Sequence, residues 1–179
     1  MSGRQVTVVA DGEADPILDA LAGAETDVTV ETLAPADVVS KTGCDARLVV
    51  VIGGPALLAA ARSLPESPIV PVDTGAGRYD VSAAAVGAAV DAATADTLET
   101  VAHPVLDVSV ADERAGTAVL DATLLTIDPA RISEFAVGSD DGWMESIRAD
   151  GVVVATPLGS TGYAHAVGGP VLAPGTGLV

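Results

Sequence analysis

The chain has 179 residues, of which 25 are acidic and 8 basic, so that its formal net charge at pH 7 is -17. Such a charge repels nucleic acids and anionic membranes and argues against a basic groove that follows phosphates. Lys41 is the only lysine, and an acidic, lysine-poor composition is typical of a hydrated surface in a salt-rich cytosol. We therefore expect a halophilic protein with no nucleic-acid or membrane partner.

Cysteine and histidine are sparse. Cys44 has no second cysteine to pair with, and His103 and His165 share no ligand spacing, so we expect no metal site and a cytoplasmic location. The chain enters its first strand without an apolar signal segment. The uncharged, Ala/Val-rich run Val81 to Val90, bounded by Asp80 and Asp91, is too short to span a bilayer.

Strands and helices alternate in the first half of the chain. Short apolar runs predict strands at 4–10, 28–33, 47–52 and 68–72, and amphipathic or Ala-rich segments predict helices at 14–21, 53–62 and 82–93. Pro55 suits the first turn of the second helix. This βαβ order predicts a mostly parallel sheet with a crevice at the carboxyl ends of its strands.

The pattern changes near residues 96–100. Alternating runs at 105–110, 117–127, 131–137 and 144–149 are separated by charged or Gly-containing turns at 111–116 and 138–143, which predicts antiparallel strands. We place a domain boundary between residues 98 and 99. The predicted fold is an α/β Rossmann-like domain at 1–98 followed by an all-β domain at 99–179.

The stretch 150–170, DGVVVATPLGSTGYAHAVGGP, carries the strongest functional signal. An apolar strand at 152–155 leads into a polar turn, a short helix and a Gly-Gly-Pro stop. The hydroxyls of Thr156, Ser160 and Thr161 offer hydrogen bonds without fixed charge, and Tyr163 offers a flat ring. Such a loop suits a neutral aromatic ligand such as an adenine, and the alternative is a plain structural connector.

The same stretch resembles the DG-x-x-x-x-TPTGSTAY-x-x-x-x-GGP motif of the ATP-NAD kinases. The matching positions are Asp150, Gly151, Thr156, Pro157, Gly159, Ser160, Thr161, Tyr163, Gly168, Gly169 and Pro170. Leu158 replaces a threonine of the motif and Gly162 an alanine. The resemblance implies the NAD kinase fold, an α/β domain followed by a β domain that carries the NAD loop.

The resemblance also implies a phosphate loop, which reads GGDGT in the family. The corresponding stretch is VVVIGGPALL at 49–58, where Gly53 and Gly54 remain but Pro55 occupies the position of the family's catalytic aspartate. Pro55 has neither a carboxylate nor an N–H donor, and losing a positioned base costs about 10² to 10⁴-fold in rate. The family's Asn-Glu motif aligns with Asp121-Ala122. Asp121 can still hydrogen-bond a ribose, but Ala122 offers no acceptor.

Carried over by motif position, the resemblance implies that Thr161, Gly162 and Tyr163 contact the adenine end of NAD or NADP, and that Asp150 meets the nicotinamide or its ribose. Ser160 supports the loop. The alternative for Asp150 is a turn aspartate before a glycine.

Two other carboxylates could replace the lost base. Asp73 follows the fourth predicted strand, and Asp121 stands at the altered Asn-Glu position; the alternative is that the first begins a turn and the second is a hydrated strand end. Arg78, beside Asp80, is interpreted as half of a surface ion pair.

Three functions remain open: a non-catalytic NAD or NADP binder, an active kinase that uses ATP and Mg²⁺ with a substitute base, and a structural or regulatory subunit without ligand. The resemblance further implies a homo-oligomer. The chain stops at Val179, where residues 175–179 are interpreted as the start of another strand, whereas the family continues, so we expect an incomplete β domain.

Overall fold

A computed structural model of the chain describes residues 4–23, 28–38, 48–63, 68–128 and 131–176. The chain divides into two compact units, Met1–Val101 and Ala102–Val179, which we call the α/β unit and the β unit. The boundary expected from the sequence lies between residues 98 and 99. Lys41, Cys44 and Arg47 fall outside the described residues.

The α/β unit alternates strands and helices as the sequence predicted. Its elements are β1 (Arg4–Ala10), α1 (Asp15–Ala22), β2 (Val28–Leu33), α2 (Pro35–Val38), β3 (Leu48–Ile52), α3 (Gly54–Arg62), β4 (Ile69–Val72) and α4 (Val86–Thr94). The four strands form one parallel sheet in the order β2-β1-β3-β4, which confirms the predicted parallel sheet.

One face of this sheet forms the main apolar core with α1 and α4. Alternate residues of a strand point to the same face, and helix residues four apart lie on one side. The buried cluster follows this rule, with pairs from β1, β3, β4, α1 and α4: Val6, Val8, Leu48, Val50, Val70, Val72, Ile17, Leu21, Val86 and Val90. Helix α3 contacts β1 and β3, whose other residues are also buried. Both faces of the sheet are therefore covered, as parallel sheets require.

The fourth helix differs in detail from the expectation of one helix over 82–93. It begins with a 3-10 turn, Ala83–Ala85, in which the Ala85 N–H donates to the Ser82 carbonyl at 2.9 Å. The regular helix α4 starts only at Val86. A tightened first turn of this kind is common where a helix begins.

The β unit contains antiparallel strand pairs, which confirms the predicted strand direction. Its elements are β5 (Leu106–Val110), β6 (Glu113–Ala118), β7 (Asp121–Leu125), β8 (Ser133–Gly138), β9 (Met144–Ala149), β10 (Gly151–Ala155) and α5 (Tyr163–Ala166). Within the described part of the chain, β5 pairs with β6, β7 with β10 and β8 with β9.

Two expectations for this unit were wrong. The run 117–127 is not one strand, because the chain leaves β6 after Ala118 and begins β7 at Asp121. The turn expected at 111–116 shrinks to Ala111 and Asp112, whose φ angles are 51° and 64°. A two-residue type I′ hairpin turn requires positive φ at both positions, and a glycine usually supplies it at one of them. Ala111 and Asp112 include no glycine, so the tight turn had no such signal in the sequence.

The carboxyl end of the described chain is a turn. The Thr176 N–H donates to the Ala173 carbonyl at 3.2 Å, where residues 175–179 were expected to enter a strand. Residues 177–179 lie outside the described range. Across the described segments, no helix is long and apolar enough to cross a membrane.

Candidate functional site

The polar loop after β10 is anchored by Thr156. Its N–H donates to the Leu120 carbonyl at 2.9 Å, and its Oγ1 lies 2.9 Å from the Val119 carbonyl and 3.1 Å from that of Leu120. The same oxygen accepts a hydrogen bond from the Gly159 N–H at 3.2 Å. Thr156 is 0% exposed. Its hydroxyl, expected from the sequence to face a ligand, is instead used inside the unit.

Gly159 and Ser160 fix the loop from the other side. A Cβ on Gly159 would stand 1.9 Å from the Leu120 carbonyl oxygen, so that no side chain fits there. The Ser160 hydroxyl donates to the Pro157 carbonyl at 2.8 Å and accepts from the Leu172 N–H at 2.9 Å. Ser160 is 0% exposed, so it supports the loop and presents nothing to solvent.

The next three residues are exposed. Thr161 ends a 3-10 turn that begins at Gly159, Gly162 joins that turn to α5, and Tyr163 is the first residue of the helix. Tyr163 is 52% exposed, although large aromatic side chains gain most when buried. Of the three loop hydroxyls singled out in the sequence, only that of Thr161 is on the surface.

Asp121 lies beside this loop. It is the first residue of β7 and pairs with Ala155, the residue before Thr156. The Thr123 hydroxyl donates to its Oδ1 at 3.2 Å. Ala122, which follows it, pairs with Val154 and brings no acceptor. The pairing therefore puts Asp121 at the end of the β7–β10 pair from which the loop leaves.

Asp150 lies at the opposite end of β10. The five residues of that strand separate it from Thr156, and at about 3.3 Å per residue the two Cα atoms are roughly 20 Å apart. The Asp150 side chain is exposed, and its carbonyl accepts from the Thr126 N–H at 3.0 Å. Within the β unit, Asp150 and the exposed loop segment do not form one compact cluster.

In the α/β unit, the stretch aligned with the phosphate loop is the start of α3. Gly53 precedes the helix with φ 86°, and its N–H donates to the Val72 carbonyl at 3.0 Å. Pro55 stands in the first helical turn. Ala56 and Leu57, which replace the family's glycine and threonine, are both buried. The position of a phosphate cradle is thus occupied by an apolar helix start.

The loop after β4 holds Asp73 and Arg78. Asp73 is exposed and has φ 50°, a left-handed conformation that is uncommon for residues other than glycine. The predicted Arg78–Asp80 ion pair was wrong. The Asp80 carboxylate instead accepts from the Thr74 hydroxyl at 2.6 Å and from the N–H groups of Thr74 and Gly75 at 3.0 Å.

Arg78 contacts the neighbouring Tyr79 ring. Its Nη2 lies 2.8 Å from the Tyr79 hydroxyl, and its guanidinium carbon is 5.0 Å from the ring centroid. This distance is within the range of a cation–π contact. Arg78 is therefore held by an aromatic neighbour.

A magnesium-binding cluster is not apparent in the described ranges: they contain no group of three or more His, Cys, Asp or Glu side chains placed to hold a metal. His165 lies in the loop region, with its Nδ1 3.2 Å from the Gly169 carbonyl. Carboxylate oxygens are the ligands that Mg²⁺ prefers, together with substrate phosphates.

Sequence reasoning overlooked the structural partners of the loop. Leu120 receives the Thr156 N–H and packs on Gly159, and Leu172 reaches back to Ser160. Neither leucine carries a signal in the sequence, because both act through backbone atoms. The buried role of Thr156 had one indication, its position directly after the apolar run of β10.

Comparison with known proteins agrees with this layout. Residues 120–177 match the family model of the ATP-NAD kinase C-terminal domain. An NAD kinase from Methanosarcina barkeri is 37% identical over 99 residues, which are 50% of this chain and 36% of that protein. One from Methanothermobacter thermautotrophicus is 32% identical over 135 residues, 73% of this chain and 47% of that protein. The chain thus spans about half the length of these relatives or less.

Two solved structures share the fold. An NAD kinase from Archaeoglobus fulgidus in complex with ATP superposes with a TM-score of 0.71 at 26% identity, covering 96% of this chain and 68% of that one. Yeast NADH kinase complexed with NADH gives a TM-score of 0.70 at 15% identity, covering 97% of this chain and 60% of that one, and supports the fold alone. The predicted two-part fold is confirmed, and the chain belongs to the ATP-NAD kinase family.

Proposed function

We propose that this chain is an NAD kinase-like protein that binds NAD or NADP and whose phosphoryl transfer is weak or lost. One contrast carries the proposal. In the loop of the β unit, the buried and hydrogen-bonded residues Thr156 and Ser160 support the exposed segment Thr161–Tyr163. In the α/β unit, Pro55 stands in the first turn of a helix, at the position where the family's phosphate loop has its aspartate.

The exposed segment has the chemistry to hold the adenine end of a dinucleotide. The Tyr163 ring offers a stacking face, the Thr161 hydroxyl a hydrogen bond, and Gly162 a backbone that a ligand can approach closely. We assign to Asp121, at the same end of the β7–β10 pair, the role of accepting a hydrogen bond from a ribose hydroxyl, which its pairing with Ala155 supports. Asp150, at the far end of β10, is assigned to the nicotinamide end of the ligand.

The start of α3 supports the loss of transfer. Pro55 brings no carboxylate to accept a proton and no N–H to meet a phosphate. Ala56 and Leu57 point into buried surroundings, so they add no polar group. The Archaeoglobus NAD kinase was solved with ATP bound. For this chain we assign ATP and Mg²⁺ only to a residual kinase reaction.

An active kinase is the second candidate, and the backbone of Asp73 favours it. A non-glycine residue with positive φ is strained, and such strain concentrates at functional sites. In this candidate Asp73 or Asp121 takes the proton of the NAD 2'-hydroxyl. The third candidate, a subunit without ligand, explains the buried hydroxyls of Thr156 and Ser160 but leaves the exposure of Tyr163 without a role.

Self-association is part of the proposal. One face of the β7–β10 pair is built only of aliphatic residues, Ala122, Leu124, Val152 and Val154, and two of them are clearly exposed. Exposed apolar strand faces favour association, which supports a homo-oligomer.

Calorimetric titration with NAD in high-KCl buffer tests the function, followed in the same sample by ATP, Mg²⁺ and a readout specific for NADP. We expect NAD to bind and NADP formation to be weak or absent. Tyr163→Ala should weaken NAD binding roughly tenfold, because stacking of a base on an aromatic ring contributes about 1–3 kcal/mol. Tyr79→Ala, at the other tyrosine of the chain, is the matched control and should leave binding unchanged.

The other outcomes are distinct. Turnover that Asp73→Asn or Asp121→Asn abolishes would establish the active kinase with a substitute base, and turnover unchanged in both variants would rule out that rescue. No NAD binding by the folded wild-type protein would contradict our proposal and leave the subunit without ligand.

A further inference from the structure

Thr156 connects two parts of the candidate site although its side chain is fully buried. Its Oγ1 lies within hydrogen-bond distance of the Val119 and Leu120 carbonyls, at 2.9 and 3.1 Å, and it accepts from the Gly159 N–H at 3.2 Å. A hydroxyl can donate one proton and accept others, so a single atom joins the end of the segment before β7 to the turn that carries the ligand loop.

The Leu120 carbonyl is held on several sides by that loop. The Thr156 N–H donates to it at 2.9 Å, the Thr156 Oγ1 lies 3.1 Å away, and Gly159 packs so closely that an added Cβ would come within 1.9 Å. Asp121 is the next residue in the chain and pairs with Ala155. The backbone that carries the Asp121 carboxylate is therefore fixed to the loop one residue away.

We propose that Thr156 is a positioning residue that sets the Asp121 carboxylate relative to the exposed Thr161–Tyr163 segment. This inference rests on the proposed dinucleotide binding at that segment. Thr156 itself is 0% exposed and does not touch the ligand. It acts by hydrogen-bonding the Leu120 carbonyl. This bond keeps constant the distance between the Asp121 carboxylate, which is proposed to bind the ribose, and the Thr161–Tyr163 segment, which is proposed to contact the adenine.

Two substitutions separate the hydroxyl from the shape of the side chain. Thr156→Val keeps the branched shape and removes the hydroxyl, whereas Thr156→Ser keeps the hydroxyl. We expect Thr156→Val to raise the Kd for NAD roughly tenfold, the effect of leaving a buried hydrogen-bonding group without its partner, and Thr156→Ser to stay within about twofold. Thr117→Val, in the β5–β6 pair, is the matched control and should bind as the wild type does.

A double-mutant cycle distinguishes positioning from a general structural role. If Thr156 acts through Asp121, then Asp121→Asn weakens NAD binding in the wild type but adds little in the Thr156→Val background. If the threonine only stabilises the unit, the two effects add. Additive effects, or a Thr156→Val variant with the wild-type Kd, would overturn the inference while leaving the proposed function in place.

Amide hydrogen exchange provides a readout that does not need NAD. Thr156→Val should speed exchange at Gly159 and through Thr161–Tyr163, while Thr156→Ser leaves it slow. If the wild-type protein fails to bind NAD, the proposed function is wrong. Amide exchange then tests by itself whether the Thr156 hydroxyl fixes the Thr161–Tyr163 segment. Equal exchange in the valine and serine variants would overturn it.

Discussion

Different interactions stabilise the interior of each of the two units. The α/β unit has a cluster of ten buried aliphatic side chains on one face of its sheet, whereas the described residues of the β unit bury only four apolar side chains, Val119, Ala155, Pro157 and Ala164. The β unit instead buries the hydroxyls of Thr156 and Ser160 among backbone partners. Hydrophobic burial organises the first unit, and buried hydrogen bonds organise the loop after β10 in the second.

The units also differ in what they keep of the family's motifs. The well-packed unit has lost the phosphate-loop residues, and two of the replacements, Ala56 and Leu57, are buried. The sparsely packed unit has kept the dinucleotide loop almost unchanged. Ala56 and Leu57 add buried apolar surface to the α/β unit, and neither side chain offers a hydrogen-bonding group.

The largest expected effect comes from restoring the family's phosphate-loop sequence in the α/β unit. The triple change Pro55→Asp, Ala56→Gly, Leu57→Thr rebuilds the family's sequence, and we expect NADP formation with ATP and Mg²⁺ to rise about 10²-fold or more, because a positioned base contributes 10² to 10⁴-fold. The double variant Ala56→Gly, Leu57→Thr, without the carboxylate, is the control. A triple variant no more active than the double would show that Pro55 is not what limits transfer.

A matched pair of leucines tests the difference in packing. Leu48 is 1% exposed in β3 and Leu124 is 61% exposed in β7. Leu48→Ala should lower the free energy of unfolding of the α/β unit by about 2–5 kcal/mol, because it leaves a cavity in the core. In dilute, monomeric protein, Leu124→Ala should change stability by about 0.5 kcal/mol or less, as expected for a surface site.

Two optical signals report separately on the unfolding of the two units in that experiment. Circular dichroism in urea follows the helices, most of which lie in the α/β unit, and fluorescence of the only tryptophan, Trp143, follows the β unit. A loss of stability in Leu124→Ala that appears only at high protein concentration would mean that this strand face is covered in the oligomer, as the proposed self-association requires. Equal, small effects of both changes would contradict the packing difference.

The smallest effect is expected at an exposed ion pair of the β unit. The side-chain hydrogen bond from Arg114 lowers the pKa of Asp107 below its ordinary value, with a further hydrogen bond from Thr117. A lowered pKa means that this contribution to stability is present above the ordinary carboxyl range and is lost as pH falls through the folded-state pKa. Arg114→Gln should raise the pKa of Asp107 toward 3.8, measured by NMR titration of the carboxyl carbon.

Thermal melts of the same variant complete that test. Because both side chains are exposed, the melting temperature near pH 7 should hardly change. Arg131→Gln, which breaks the Arg131–Asp128 pair at 2.9 Å, is the control and should leave the pKa of Asp107 where it is. A marked drop in melting temperature would show that surface ion pairs, and not only buried hydrogen bonds, hold the β unit.

The sequence by itself determined the local structure and the family. Short apolar runs placed the strands β1 to β4, the alternation with helices implied their parallel sheet, and the loop motif at 150–170 pointed to the ATP-NAD kinases. These features are encoded within a few residues of one another, so a linear pattern contains them. The tight turn at Ala111 and Asp112 escaped because its positive φ angles have no glycine to mark them.

Only the tertiary structure decided which loop residues face solvent and which hold the loop. Thr156, Ser160 and Thr161 are chemically similar in the sequence, but the first two are buried by partners at Leu120 and Leu172, and only the third is exposed. Likewise, pairing of β7 with β10 brings Asp121 to the loop and leaves Asp150 at the far end. Strand register joins residues more than thirty positions apart, and shifting it by one residue would reverse every face, so no local pattern can report it.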